Sequence, residues 1–515
     1  MPFEVLVQTS LEVKQTRSRL RKIERLAACI ARLHRDGSGA RSLEAGVAYL
    51  AGELPQGRIG LGHAAVYGQG PVPAKESSEL GVADVDRALS EIQQVRGAGS
   101  VGERLRLWGQ LLGRCTEPEQ AFLRQLVLGE LRQGALESLV AEAVAVAAQV
   151  SPESVRRAVM LSGSLPEIAR AALEGGVAAL ERYRIELFRP LAPMLAQTAE
   201  TPEIALAELG QAGFEYKLDG VRIQVHKQGS DVRIFTRQSS DITRALPEVV
   251  ERVQTLPSSS LILDGEVLSL QKDGTPEPFQ TTMRRFGRKL RVEEMRHSQP
   301  VSPFFFDCLH AEGGDLLDLP TTERWAALEQ AVPAEWQMPR LISLDPAQVS
   351  LFYERALEAG HEGMMAKALA APYVAGRRGS DWLKVKSHHT LDLVVIGVEW
   401  GSGRRQGWLS NLHLGARDAT GGFVMVGKTF KGLTDELLRW QTSALLERES
   451  SREEHVVFVR PELVVEIAFN DVQLSPHYPG HVALRFARVR RYRPDKSADQ
   501  ADTIETVQSL CPKPF

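Results

Sequence analysis

The stretch EYKLDGVR, residues 215–222, sets a lysine, an aspartate, a glycine and an arginine within six positions. Around it apolar and polar residues alternate, as FEYKL, VRIQVHK and DVRIFTR, which is the period of half-buried strands. The spacing predicts strands at 213–218, 221–227 and 231–237, the first two forming a hairpin. Lys217 ends the first strand and faces the same way as Asp219. A nucleophilic lysine must lose a proton that it ordinarily holds to a pKa of about 10.4. Burial and neighbouring cations lower that value, and Arg222, Lys384 and Lys386 are the candidate cations. Asp219 is suited to orient the amine or bind a ribose hydroxyl. Gly220 would let the backbone turn tightly beside a bulky ligand. Taken alone, K-x-D-G is a weak pattern and reads more readily as a surface hairpin lysine.

The strand pattern continues outward, with further strands predicted at 261–269, 303–309, 363–368 and 382–387. Helices are predicted at 240–255, 321–331 and 346–359, the last beginning at Asp345-Pro346. Before this region the chain reads as helices, including 83–95, 119–132 and the Ala-rich ESLVAEAVAVAAQV, with apolar residues three and four apart. A proline-bearing stretch at 187–202 reads as a linker or extended segment. Beyond 389 the strands are short and closely spaced, with one helix at 434–449, a pattern that suits an OB-fold barrel. The expected architecture is multidomain: an all-α domain at 1–185, an α+β domain at 186–388 and an all-β OB-fold barrel at 389–515.

The totals agree. A chain of 515 residues suggests about three domains of roughly 150 residues each. Its 43% apolar content fills several cores, and a net charge of -3 excludes a uniformly basic coat without excluding local basic surfaces. The four cysteines form no CxxC pair, which disfavours a zinc site or disulfide framework. There is no apolar run of about 20 residues and no signal-like N-terminus, so the chain reads as soluble and cytoplasmic, with no membrane partner.

Two phosphate-loop patterns are decoys. Gly422-x-x-x-x-Gly427-Lys428-Thr429 has Phe-Val-Met-Val between its glycines, which favours a strand over a flexible loop. Gly97-Ala-Gly99-Ser-Val-Gly102 follows a helical run and reads as a helix stop and loop.

Other residues give Lys217 company. Glu266 and Glu362 sit at strand positions beside glycines, and two such carboxylates can hold a magnesium ion bound mainly through phosphates and water. Lys384 and Lys386 share one strand face, which is costly unless an anion sits there. Phe306 could stack on a base. In order, KLDGVR, TRQSSDIT, LDGEVL, FFFDCL, EGMMAK, WLKVK and RFARVRRYRPDK resemble the successive motifs of the ATP-dependent DNA ligases, a family of covalent nucleotidyltransferases. The resemblance spans the chain and is looser in the first domain, where FLRQLVLGELRQGAL carries it.

The resemblance implies roles. Lys217 becomes the adenylated lysine and Glu215 contacts the adenine, on which Phe306 stacks. Arg222 and Arg237 lie near the ribose and phosphates, Arg378 lies in the nucleotide pocket, and Lys384 and Lys386 meet the α-phosphate. Glu266 and Glu362 help bind nucleotide and metal, Mg2+ or Mn2+. Arg485, Arg488 and Lys496 approach the pyrophosphate when the OB domain closes about a hinge near 388–391. Ala487 departs from the family's usual proline. Nicked double-stranded DNA is the implied partner of a monomer, with Gly129, Arg132 and Gly134 as candidate backbone contacts; the bland reading of these three is a helix end with a solvated arginine. No sliding-clamp peptide is evident. An RNA ligase, a capping-type guanylyltransferase or a non-catalytic DNA-binding protein are the alternatives.

Overall fold

The computed structural model describes residues 1–36, 39–68, 70, 72–131, 133, 137–277, 279, 281–283, 292–375, 378–386, 389–402 and 405–511, without the side chain of 378. Helical periodicity in the first 180 residues becomes helices running from Phe3–Gln15 to Leu165–Leu180. The helix Arg19–Arg35 buries Ile23, Leu26, Ile30 and Leu33 on one face, and Glu137–Ala148 is apolar nearly all round because it lies in the middle of the bundle. The helix predicted at 119–132 is Glu117–Val127. It stops early because Gly129 adopts φ +67°, the left-handed conformation that ends helices. Nothing crowds Gly129, so its backbone angle explains the glycine, in line with the bland reading. Arg132 and Gly134 lie outside the described residues.

Two five-stranded sheets form the middle of the chain. The first runs in the order β1 (Leu195–Ala199), β10 (Arg378–Lys386), β9 (Gly363–Ala368), β2 (Ala212–Lys217), β8 (Arg340–Ser343). The second runs β4 (Asp231–Thr236), β3 (Val221–Gln228), β5 (Ser260–Ser269), β6 (Val301–Ala311), β7 (Gly314–Asp315). The hairpin predicted for β2 and β3 does not form. β2 pairs with β8 and β9, whereas β3 pairs with β4 and β5. Alternation reports half-burial and says nothing about which neighbour a strand takes. Inside the stretch read as a linker, β1 pairs in parallel with β10. The helix predicted at 240–255 is cut to a 3-10 turn, Thr243–Ala245, and a helix, Pro247–Gln254, because Pro247 starts a helix more readily than it continues one. The helix Thr321–Ala331 matches its prediction, and Pro346–Glu358 is capped by Asp345, whose carboxylate accepts the Ala347 N–H at 2.9 Å.

The last region is all-β and consistent with an OB fold. Its long first strand, β11 (His389–Trp400), pairs with β12 (Leu409–Arg417), β15 (Val456–Val459) and β16 (Val464–Phe469). One strand serving several neighbours along its length is how a small barrel curls toward closure. β13 (Phe423–Thr429) and β14 (Glu449–Glu453) flank the helix Asp435–Leu446; β17 (Asp471–Leu474) and β18 (Val482–Arg485) make a separate ribbon, and β19 (Arg488–Tyr492) pairs with β16. Leu393, Val395, Leu412, Leu414 and Ile467 fill the core. The Gly422–Thr429 decoy is β13, with Lys428 paired to Glu399. In the Gly97–Gly102 decoy, Gly99 caps a new helix, Ser100–Leu112, so the loop is shorter than read.

Candidate active site

β2 ends at Lys217, and Leu218, Asp219 and Gly220 carry the chain from one sheet to the other. The crossing is fixed on both sides. The Glu362 N–H donates to the Lys217 carbonyl at 3.0 Å, and the Gly220 N–H donates to Glu266 Oε1 at 3.2 Å. A Cβ on Gly220 would stand 2.5 Å from the Val267 carbonyl oxygen. Close approach to β5 therefore requires glycine here. Gly363, at φ +144° with a Cβ position 2.2 Å from the Val385 carbonyl oxygen, holds Glu362 in the same way against β10.

A cleft of about 590 Å³ opens at the crossing. Alternate residues of three strands line it: Glu215 and Lys217 on β2, Met365 and Lys367 on β9, and Trp382, Lys384 and Lys386 on β10. The second sheet contributes Arg222, Glu266 and Phe306, and Arg237 stands exposed just beyond β4. Phe306 and Trp382 meet edge to face, with centroids 6.1 Å apart. Beside these rings Glu215, 1% exposed, pairs with Lys367 at 2.6 Å and with Arg340 at 3.2 Å. Lys367 Nζ lies 4.7 Å from the Phe306 ring centroid and 4.3 Å from that of Trp382. Burial pulls its pKa down despite Glu215 and Asp307. Arg222 is braced from below: it donates to Asp264 Oδ2 at 2.5 Å, to the Tyr373 hydroxyl at 3.1 Å and to the Met194 carbonyl at 2.7 Å. The cleft thus joins an aromatic slot containing fixed polar atoms to a cationic mouth, a combination suited to a base and its phosphates.

The charge around Lys217 differs from the sequence expectation. Its amine pairs with Glu362 Oε2, and Lys386 takes Glu362 Oε1. Burial pushes the Lys217 pKa down, but Glu362, Glu266 and Asp219 outweigh it and hold the value above the ordinary 10.5. The expected cationic surroundings are offset by three carboxylates. Lys386 is lowered by burial and by Lys217. Burial opposes the charge on Glu362, yet Lys217 and Lys386 keep its pKa below the ordinary value. Glu266 is pushed up to about 7 by burial, with Lys217 and Arg222 opposing.

Asp219, whose charge acts on Lys217, also accepts from Arg485 of the C-terminal region at 2.8 Å. Arg485 thus reaches the crossing. Lys496 pairs instead with Asp392 at 2.6 Å, and Arg488 is exposed on β19; neither lines the cleft in this arrangement. Arg378 lies on β10 opposite Leu195, and its side chain is outside the described residues, as is His388 at the expected hinge. Sequence reasoning overlooked Met365, Lys367, Trp382, Asp264, Tyr373, Arg340 and Asn470. Strand alternation from Lys384 and Lys386 reaches Trp382, and alternation along EGMMAK picks out Met365 and Lys367. Among the described residues there is no group of three or more His, Cys, Asp or Glu that could hold a metal ion.

Three family descriptions match in order: "DNA ligase N terminus" over residues 63–145, "ATP dependent DNA ligase domain" over 193–386 and "ATP dependent DNA ligase C terminal region" over 405–496. A curated protein named "Probable DNA ligase" from Anaeromyxobacter sp. (strain Fw109-5) is 55% identical over 514 residues, covering 99% of this chain and 98% of that protein. The chain belongs to the ATP-dependent DNA ligases. Another "Probable DNA ligase", from Saccharopolyspora erythraea, is 53% identical to this ligase over 506 residues, with 98% and 97% covered. The solved structure titled "Pmar-Lig_Pre." shares the ligase's fold at a TM-score of 0.61 and 19% identity, covering 95% of this chain and 99% of that one. No helix among the described residues is long and apolar enough to cross a membrane.

Proposed function

We propose that Lys217 is the nucleophile of this ligase, taking AMP from ATP and passing it to the 5′-phosphate of a nick in duplex DNA before the 3′-hydroxyl seals the break. One observation carries the assignment: the Lys217 amine stands where the chain crosses between two sheets, in a cleft with an aromatic slot and a rim of cations. In this reading Phe306 and Trp382 take the adenine, with Glu215 and Lys367 reading its edge. Arg222, Arg237, Lys384 and Lys386 face ribose and phosphates. The Lys217 nitrogen forms a bond to the α-phosphorus as the bond to pyrophosphate breaks, and transfer to the nick reverses that attachment. Such steps are accelerated by positioning and by neutralising charge as it develops.

The amine must lose its proton first. The Glu362 carboxylate stabilises the protonated amine in the free enzyme, while burial and repulsion from Lys386 favour loss of the proton. Glu266 and Glu362 flank Lys217 with hard oxygen donors. They fit a magnesium ion whose remaining ligands are phosphate oxygens and water, which would neutralise phosphate charge when bound; manganese suits the same donors. Lys496 and Arg488 belong to a different docking of the C-terminal domain, in which they meet the pyrophosphate. We assign residues 1–185 to DNA gripping, 186–388 to adenylation and 389–515 to the OB domain, in a monomer acting on nicked DNA in the cytoplasm. The four free cysteines are in keeping with a reducing compartment. Replication, repair and recombination all generate its substrate.

The test is incubation with α-labelled ATP and magnesium, peptide mapping of the modified residue, and sealing of a nicked duplex. Label should map to Lys217, and Lys217→Ala should neither label nor seal. Undiminished labelling of the variant would remove Lys217 from the role.

A further inference from the structure

Asn470 occupies the single position between β16 and β17, in the C-terminal domain, yet its side chain reaches the nucleotide site. Its amide nitrogen donates to Glu362 Oε1 at 3.2 Å. It is held there by its own backbone, whose N–H donates to the Arg485 carbonyl at 3.0 Å, and by the Asp471–Arg485 register of the adjoining ribbon. Arg485 itself is anchored on Asp219. Two neighbouring side chains of the C-terminal domain therefore dock beside the crossing, Asn470 on Glu362 and Arg485 on Asp219.

This docking excludes the other one. Lys496 is held by Asp392 and does not line the cleft, so the arrangement differs from the one assigned above to pyrophosphate departure. It suits the steps that follow. Once Lys217 carries AMP, its nitrogen is a neutral phosphoramidate and no longer an ammonium. The ion pair that oriented Glu362 is then lost, and Lys386 and Asn470 remain to fix the carboxylate. A hydrogen bond to a charged acceptor is among the stronger ones, and Asn470 supplies it only while the domain is docked.

We infer that Asn470 is a positioning residue for the steps after lysine adenylation, acting through Glu362 when the C-terminal domain docks in this orientation. The inference rests on Lys217 as the adenylated residue, and the experiment separates the two. Wild type, Asn470→Ala and the isosteric Asn470→Asp are compared in single-turnover self-adenylation with labelled ATP, and in single-turnover sealing of a pre-adenylated nick over a range of enzyme concentrations. Both variants should self-adenylate within about twofold of wild type, which also reports that they fold. Their sealing rate at saturation should fall about tenfold or more, the rate equivalent of one hydrogen bond to a charged group, with the half-saturating concentration unchanged. Asn470→Asp should be the worse, because it sets a second carboxylate against Glu362. Parallel loss of adenylation, a change in DNA affinity alone, or wild-type sealing by both variants would each overturn the inference. Absence of label at Lys217 in wild type would instead overturn the nucleophile assignment.

Discussion

Replacing Glu362 by glutamine should free the Lys217 amine. Three carboxylates face that amine, Glu362 from the start of β9, Glu266 from β5 and Asp219 from the crossing, and Lys386 on β10 is the cation that opposes them. The Lys217 side chain is 21% exposed and that of Glu362 14%, so water reaches the pair without swamping it. At an effective dielectric near 20, two unit charges in contact interact by about 4 kcal/mol. Partial solvation and the share of Glu362 taken by Lys386 cut the effect on Lys217 to about 1.5–3 kcal/mol. Wild-type Lys217, held above 10.5, has fewer than about one neutral amine in a thousand at pH 7.5. In Glu362→Gln that fraction should rise about ten- to a hundredfold. Lys386→Met should move it the other way, since it removes a repelling cation and leaves Glu362 wholly to Lys217. The assay is competitive acylation of the free enzyme from pH 6 to 11, with Lys217 reactivity read by mass spectrometry against an exposed reference lysine. This reads the proton without asking the variant to catalyse. An unchanged or raised apparent pKa in Glu362→Gln would refute the reasoning that Glu362 controls the proton.

Glu266→Gln should flatten the pH dependence of stability. A carboxyl raised from 4.5 to about 7 contributes stability below pH 4.5 that is lost as pH climbs through 7, about 3 kcal/mol in all. Wild type minus variant in the urea midpoint should show that slope, and a flat difference would contradict it. Lys367→Met should strand Glu215 with only Arg340, destabilise the central domain by about 3 kcal/mol and raise the ATP concentration needed for half-maximal labelling; an unshifted melting temperature would count against the buried pair. Gly220→Ala, whose Cβ would lie 2.5 Å from a backbone oxygen, should cost about 1–3 kcal/mol and slow self-adenylation by displacing Lys217. Normal labelling would show that the crossing can relax.

Fold class and most element positions were legible because periodicity is a local property. The helices of the first region, the strands on either side of Lys217 and the OB-like run past 389 all follow from spacing alone. The misread helix ends have local causes at Gly129 and Pro247, whereas the errors in topology arise because pairing is not local. FEYKL and VRIQVHK look like a hairpin because they are adjacent and both alternate, yet they do not pair with each other: β2 pairs with the distant β8 and β9, and β3 pairs with β4 and β5. The stretch LAPMLAQTA reads as linker because Pro193 and the flanking Pro190 and Pro202 dominate the local signal, while its pairing partner lies about 180 residues away.

The site shows the same division. Residue types and strand faces bring Lys217, Glu215, Glu266, Phe306, Lys384 and Lys386 into one cleft, as expected from the motifs. What the motifs could not convey is the sign of the local field. Counting basic residues near Lys217 suggested a depressed amine, whereas the structure sets carboxylates against several of the cations: Glu362 against Lys217 and Lys386, Asp264 against Arg222, Glu215 against Lys367, and Asp219 against Arg485. A site built to receive a polyanion must be soluble and folded before that anion arrives. Unpaired cations this close would repel one another by several kcal/mol, so the free protein neutralises them with carboxylates that the nucleotide then displaces. On this view the acids around Lys217 act as stand-ins for phosphate in the free enzyme.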